Sequence, residues 1–78
     1  MYIVTELQTN GGQTANITTA HADRQEAEAR YHSILAAAAV STVEIHAAVM
    51  VSDEGFPLRH ECYKHAPAAS VAEEPGED

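Results

Sequence analysis

Asn10-Gly11-Gly12, set between two runs rich in β-branched residues, constrains this chain more than any other feature. Asn and Gly tolerate the positive φ that tight hairpin turns require. The run before it, Tyr2 to Thr9, alternates Ile3, Thr5 and Leu7 with Tyr2, Val4 and Glu6, which is a strand pattern. The run after it, Ala15 to Ala20, places Ile17 and Thr19 on alternating positions around Thr18 and reads as the return strand. The chain therefore opens with a β-hairpin.

A helix is expected next. Asp23 suits an N-cap, and Glu26 three residues on gives a capping-box spacing with a carboxylate at the positive end of the helix dipole. Ala27, Tyr31, Ile34, Leu35 and Ala38 fall on one helical stripe, while Arg24, Glu28 and His32 lie off it. The helix should end near Val40, where β-branched residues begin. Val43 to Val51 alternates cleanly and reads as a third strand, Ser52-Asp53-Glu54-Gly55 as a turn, and Leu58 to Tyr63 as a fourth strand with Pro57 at its start. The expected fold is α+β, in the order β-β-α-β-β: a four-stranded antiparallel sheet, strand order 2-1-3-4, with one helix packed on one face.

Length sets the scale of the core. Seventy-eight residues make one domain, here 1–65, and a chain this short buries only about 60% of its unfolded surface. Much of the apolar content is alanine, tryptophan is absent, and Cys62 has no second cysteine to pair with. A thin core of Ile, Val and Leu favours association with a partner, and a homodimer is expected. Residues 66–78 hold Ala, Pro, Gly and acids without periodicity and are expected to form a disordered acidic tail.

The sheet should then have a helix-covered face and a second face available to a partner. The alternation is read with Val43, Ile45, Ala47, Val49 and Val51 on one face of the third strand and Glu44, His46, Ala48 and Met50 on the other. Leu58, His60 and Cys62 are expected beneath the helix. The second face is expected to carry Tyr2, Val4, Glu6, Glu44, Met50, Glu61 and Tyr63, beside Ala48 and His46. That mixture suits an interaction surface better than a core.

The net charge is −8, and half of it lies in Glu73, Glu74, Glu77 and Asp78. Direct nucleic-acid binding, which needs clustered Lys and Arg, is not expected. No apolar run reaches the ~18 residues of a membrane span, and no basic region precedes an apolar stretch at the N-terminus. With a free cysteine, this points to a cytoplasmic location.

Candidate chemistry is thin. His60-x-Cys62-x-x-His65 places two ligand types on one strand face, and His46 or His21 would have to complete a zinc tetrahedron. The spacing matches no established zinc motif, and a buried Cys62 among half-exposed histidines explains it better, so no metal and no cofactor are expected. Cys62 as a nucleophile lacks an orienting third group. Glu26 and Glu28, two apart on a helix, do not face each other. Gly11-Gly12 precedes a strand rather than a helix N-terminus, so it is a turn and not a phosphate loop. An enzyme is not expected.

The segments MYIVTELQTN, DRQEAEARYHSILAAAAVS, VEIHAAVM and DEGFPLRHECYKH resemble a group of short proteins of bacteriophages and prophages of gut bacteria. The resemblance spans residues 1–65 and implies an accessory protein; it carries over no functional residue. The expected function is a non-enzymatic protein-interaction module. In its sharper form it inhibits a host nucleic-acid-handling or defence complex, with Glu6, Glu44 and Glu61 meeting a basic site. The alternatives are a minor structural or assembly component of a phage particle and a small metal-binding protein.

Overall fold

A computed structural model describes residues 1–65. The elements run β1 (Tyr2–Asn10), β2 (Gln13–His21), α1 (Arg24–Ala39), β3 (Ile45–Ser52) and β4 (Pro57–Lys64). All neighbouring strands are antiparallel and the sheet order is β2-β1-β3-β4, an α+β fold with the expected topology. The expected tail lies outside the described residues.

Local chemistry accounts for each boundary. Gly11 and Gly12 both take positive φ, 59° and 83°, so the two-residue turn closes on the pair Asn10 and Gln13. Asn10 Oδ1 accepts the Glu44 N–H at 3.0 Å, and Glu44 Oε1 accepts the Gly11 N–H at 3.3 Å, tying the hairpin tip to the approach to β3. At the other end of the chain's sheet, Gly55 (φ 86°) turns β3 into β4, and Ser52 Oγ accepts the N–H groups of Glu54 and Phe56, both at 3.2 Å. Asp23 is the N-cap of α1, with Oδ1 accepting the Gln25 N–H at 3.1 Å. Helix termination at the Val40 C-cap is followed by Ser41, whose N–H bonds the Ala38 carbonyl.

Two parallel strands, β2 and β3, flank β1, so the chain must cross the sheet between them. The helix makes that crossing and lies mainly over β1 and β3. Its stripe of Ala27, Tyr31, Ile34 and Leu35 packs on Val4, Ala48 and Met50, with Tyr2 and Leu58 at the margin. Val4 is 1% exposed, and Ala48 and Met50 are fully buried. Ala27 and Ala48 are small, which lets helix and sheet approach closely enough for Tyr31 and Met50 to fill the remaining space.

This packing corrects the expected assignment of faces. The helix covers the face of Val4, Glu6, His46, Ala48 and Met50, not the face of Ile45, Val49 and Val51. Residues beneath it therefore include Val4, Glu6 and Met50, all expected on the open side. Arg59 and Glu61 lie on the helix side, reaching Glu28 at 3.0 Å and Tyr31 Oη at 3.5 Å. By strand alternation His60 and Cys62, expected under the helix, lie on the open face, and both are exposed. The reason is chemical. Glu6 and His46 satisfy each other under the helix, with Gln8 and Arg30 also reaching Glu6, and of this group only the Arg30 Nε is left without a partner among the described residues.

Candidate interaction surface

The covered face centres on Glu6. His46 Nε2 donates to Glu6 Oε2 at 2.6 Å, Gln8 Nε2 donates to the same oxygen at 2.9 Å, and an Arg30 guanidinium nitrogen reaches Oε1 at 3.5 Å. Glu6 is 9% exposed and His46 4%. Burial pushes the Glu6 carboxyl up, but the hydrogen bonds from His46 and Gln8 and the charges of His46 and Arg30 outweigh it. The net effect holds Glu6 below the usual glutamate range. On the far side of the ring, His46 Nδ1 lies 3.0 Å from Ser41 Oγ, which also accepts the Val43 N–H at 3.3 Å.

The chain Ser41–His46–Glu6 has the residue types of a hydrolytic relay. Its imidazole is enclosed between helix and sheet, and Ser41 Oγ is held among the Ala38 carbonyl, the Val43 N–H and the ring. No pocket opens beside it among the described residues. Its hydrogen bonds tie β1 and β3 to the segment that follows the helix C-terminus.

A second ionic group lies further along the helix. Glu28 spans from α1 to β4, with Arg59 Nε at 3.0 Å, Arg24 Nε at 3.3 Å and His32 Nε2 at 3.6 Å. Desolvation pushes the Glu28 carboxyl up, and the hydrogen bonds and charges of Arg59 and Arg24 bring it below its ordinary value. Tyr31 moves the other way: burial and the nearby Glu61 charge raise its phenol.

The weak metal candidates separate. His60 and Cys62 sit on exposed β4, whereas the His65 ring turns to the helix end and lies 2.8 Å from the Ala38 carbonyl. That contact adds a ring nitrogen to a carbonyl at the negative end of α1 that the Ser41 N–H also reaches. Among the described residues, no three His, Cys, Asp or Glu side chains gather closely enough to hold an ion. Of the other residues expected on the open face, Tyr2 packs against the core, Glu44 holds the hairpin tip, and Tyr63 stacks its ring on His65 at 6.4 Å.

The face left open is the aliphatic one. Register places Ile3, Thr5, Leu7 and Thr9 of β1 beside Val51, Val49, Ala47 and Ile45 of β3, and beside Ala20, Thr18, Asn16 and Thr14 of β2. No element among the described residues packs on this side. Ile45 is 37% exposed, and Ile3, Leu7, Val49 and Val51 are partly exposed, each shielded only by its neighbours in the sheet. The eight acids of residues 1–65 lie elsewhere: Glu6 and Glu61 on the helix side of the sheet, Asp23, Glu26 and Glu28 at the N-cap or on α1, Asp53 and Glu54 in the β3–β4 turn, and Glu44 before β3 at the hairpin tip. Thus a chain of net negative charge presents a sheet face carrying no carboxylate, with Lys64 at one end. Sequence reasoning listed these aliphatic residues but assigned them to the core. The missed signal was partnership: each polar residue of the other face had a complementary residue within reach.

No helix among the described residues is long and apolar enough to cross a membrane. No protein-family model, curated protein or solved structure matches this chain.

Proposed function

We propose that this chain is a non-enzymatic protein-interaction module whose contact surface is the open sheet face, with Ile3, Leu7, Ile45, Val49 and Val51 as the apolar centre. The observation carrying this reading is that face itself: an aliphatic group of residues left uncovered by any described element while a partly ionic face is buried. Contiguous apolar surface rimmed by polar groups is a feature of protein contact sites. Thr18 and Asn16 of β2 supply a polar margin, Thr5 lies within the group beside Val49, and among the described residues Lys64 is the one full charge on this face. The partner is a protein that offers an aliphatic patch. The phage or prophage setting implied by the resemblance makes a host protein the intended target.

This reading replaces the one in which Glu6, Glu44 and Glu61 meet a basic site. Glu6 is buried and internally paired, Glu61 lies on the helix side and accepts from Tyr31, and Glu44 accepts the Gly11 N–H at the hairpin tip. The test is affinity capture from host lysate by the full chain, followed by a binding titration of the captured protein. Leu7→Lys with Val49→Lys should abolish binding, whereas Glu44→Lys with Glu61→Lys should leave it within twofold. Retention by the first pair and loss by the second would restore the acidic reading.

A further inference from the structure

The two edges of the sheet are built differently. The β4 edge starts with Pro57, carries Arg59, Glu61 and Lys64, and follows a register shift at Met50/Val51. Proline, charge and bulges are the devices by which proteins block strand addition at an edge. The β2 edge has none of them. Its nine residues, Gln13 to His21, include no Pro, Asp, Glu, Lys or Arg, and pair with β1 in unbroken register.

The direction of its backbone groups follows from alternation along an antiparallel ladder. The turn closes on Asn10 and Gln13 as a hydrogen-bonded pair, so Gln13, Ala15, Ile17, Thr19 and His21 bond β1. The opposite side of the sheet gives the same phase. The His65 N–H bonds the Glu44 carbonyl at 2.7 Å, so even-numbered β3 residues bond β4, odd ones bond β1, and even-numbered β1 residues bond β2. The hydroxyl contacts Thr5–Thr18 (3.1 Å) and Thr9–Thr14 (2.8 Å) fall on the closer, non-bonded pairs. Hence Thr14, Asn16, Thr18 and Ala20 direct both backbone groups outward along a free edge.

Ile17 lies at the centre of this strand, on the helix side, and is 51% exposed because the helix sits over β1 and β3. It is the one large aliphatic residue of β2. We infer that a second copy of this chain adds to the β2 edge antiparallel, about a two-fold axis at Ile17, making one continuous sheet across both subunits. In that register Asn16 meets Thr18 of the partner subunit and Thr14 meets Ala20 of the partner subunit. Every outward backbone group of the strand is then paired. Ile17 faces Ile17 of the partner subunit in a close non-bonded pair, which covers the exposed side chain. The strand brings no like charges together, although the chain carries −8. The self-complementary position of Ile17 selects a second copy over an unrelated strand. This pairing leaves the open sheet face free and sets two of them side by side, so it stands independently of the proposed contact surface.

Light scattering of the full chain over a concentration series tests it, with circular dichroism to confirm folding. Wild type should reach twice the chain mass. Ile17→Lys, which adds no buried charge to the monomer, should return it to one chain mass. In a Cys62→Ser background, Ile17→Cys should oxidise to a covalent dimer. Ala15→Cys should not, because the two sulfurs would be displaced along the strands beyond disulfide reach. A wild type that stays monomeric throughout would overturn the inference. So would a dimer that survives Ile17→Lys but is lost in Leu7→Lys with Val49→Lys, since that would place the second copy on the face.

Discussion

The two faces of this sheet invert a common expectation. The covered face holds Glu6, His46, Gln8 and Ala48 beside only two sizeable apolar residues at its centre, Val4 and Met50. The open face holds Ile3, Leu7, Ile45, Val49 and Val51. Aliphatic content alone would put the helix on the second. Complementarity puts it on the first: a carboxylate finds an imidazole, an amide and a guanidinium, and a 16-residue helix with a narrow stripe of Ala, Tyr, Ile and Leu finds a surface shaped by Ala48. What a face can satisfy, and how closely a helix can approach it, decides burial as much as its hydropathy does.

The sharpest way to break this comparison is to disrupt the covered face. Met50→Ala should cost about 2–5 kcal/mol, because a fully buried side chain is removed from a core with little room to collapse. In a domain of this size that amounts to most of the stability, and the urea midpoint reads it. Glu6→Ala comes next, at about 3 kcal/mol, because His46 and Arg30 lose the carboxylate that both address.

The same group gives a pH test. The Glu6 pKa is depressed in the folded state, so its contribution is fully present above the ordinary glutamate value. It is lost as the pH falls through the lower folded value. Stability should therefore drop on acidification below about pH 4.5. Glu6→Gln should be less stable at neutral pH and show a shallower decline in acid, as followed by thermal melts across pH. A parallel decline in both proteins would detach the acid sensitivity from this carboxylate. The smallest effect belongs to the open face: Val49→Thr should change stability by less than about 1 kcal/mol while weakening partner binding, measured by titration.

The sequence carried the architecture and misassigned its sides. Asn10-Gly11-Gly12, the Asp23 cap and the alternation from Val43 to Val51 are local signals, and the elements they specify are the ones that form, in the expected sheet order. Face assignment is not local. Strand alternation says that Glu6, His46 and Met50 share a side, but whether that side is core depends on Glu6 meeting His46, forty positions away, and Arg30, twenty-four away. Glu28 and Arg59 could be read as solvated charges until the fold brought them to 3.0 Å. His65 showed nothing in sequence beyond metal-ligand chemistry, and its use as a cap on the Ala38 carbonyl required the β4 path. The quiet composition of β2 against the guarded β4 was visible in the residues, yet it gained meaning only once both were known to be edges.

The measurement that tests the account most directly is a pair of urea titrations, Ala48→Lys against Val49→Lys. The two positions are adjacent in sequence and point to opposite sides of β3. Burying an ammonium beneath the helix at Ala48 should unfold the protein or lower its stability by more than about 3 kcal/mol, whereas Val49→Lys should stay within about 1 kcal/mol of wild type. A folded, stable Ala48→Lys beside an unfolded Val49→Lys would mean that the helix covers the other face, and the open aliphatic surface would not exist.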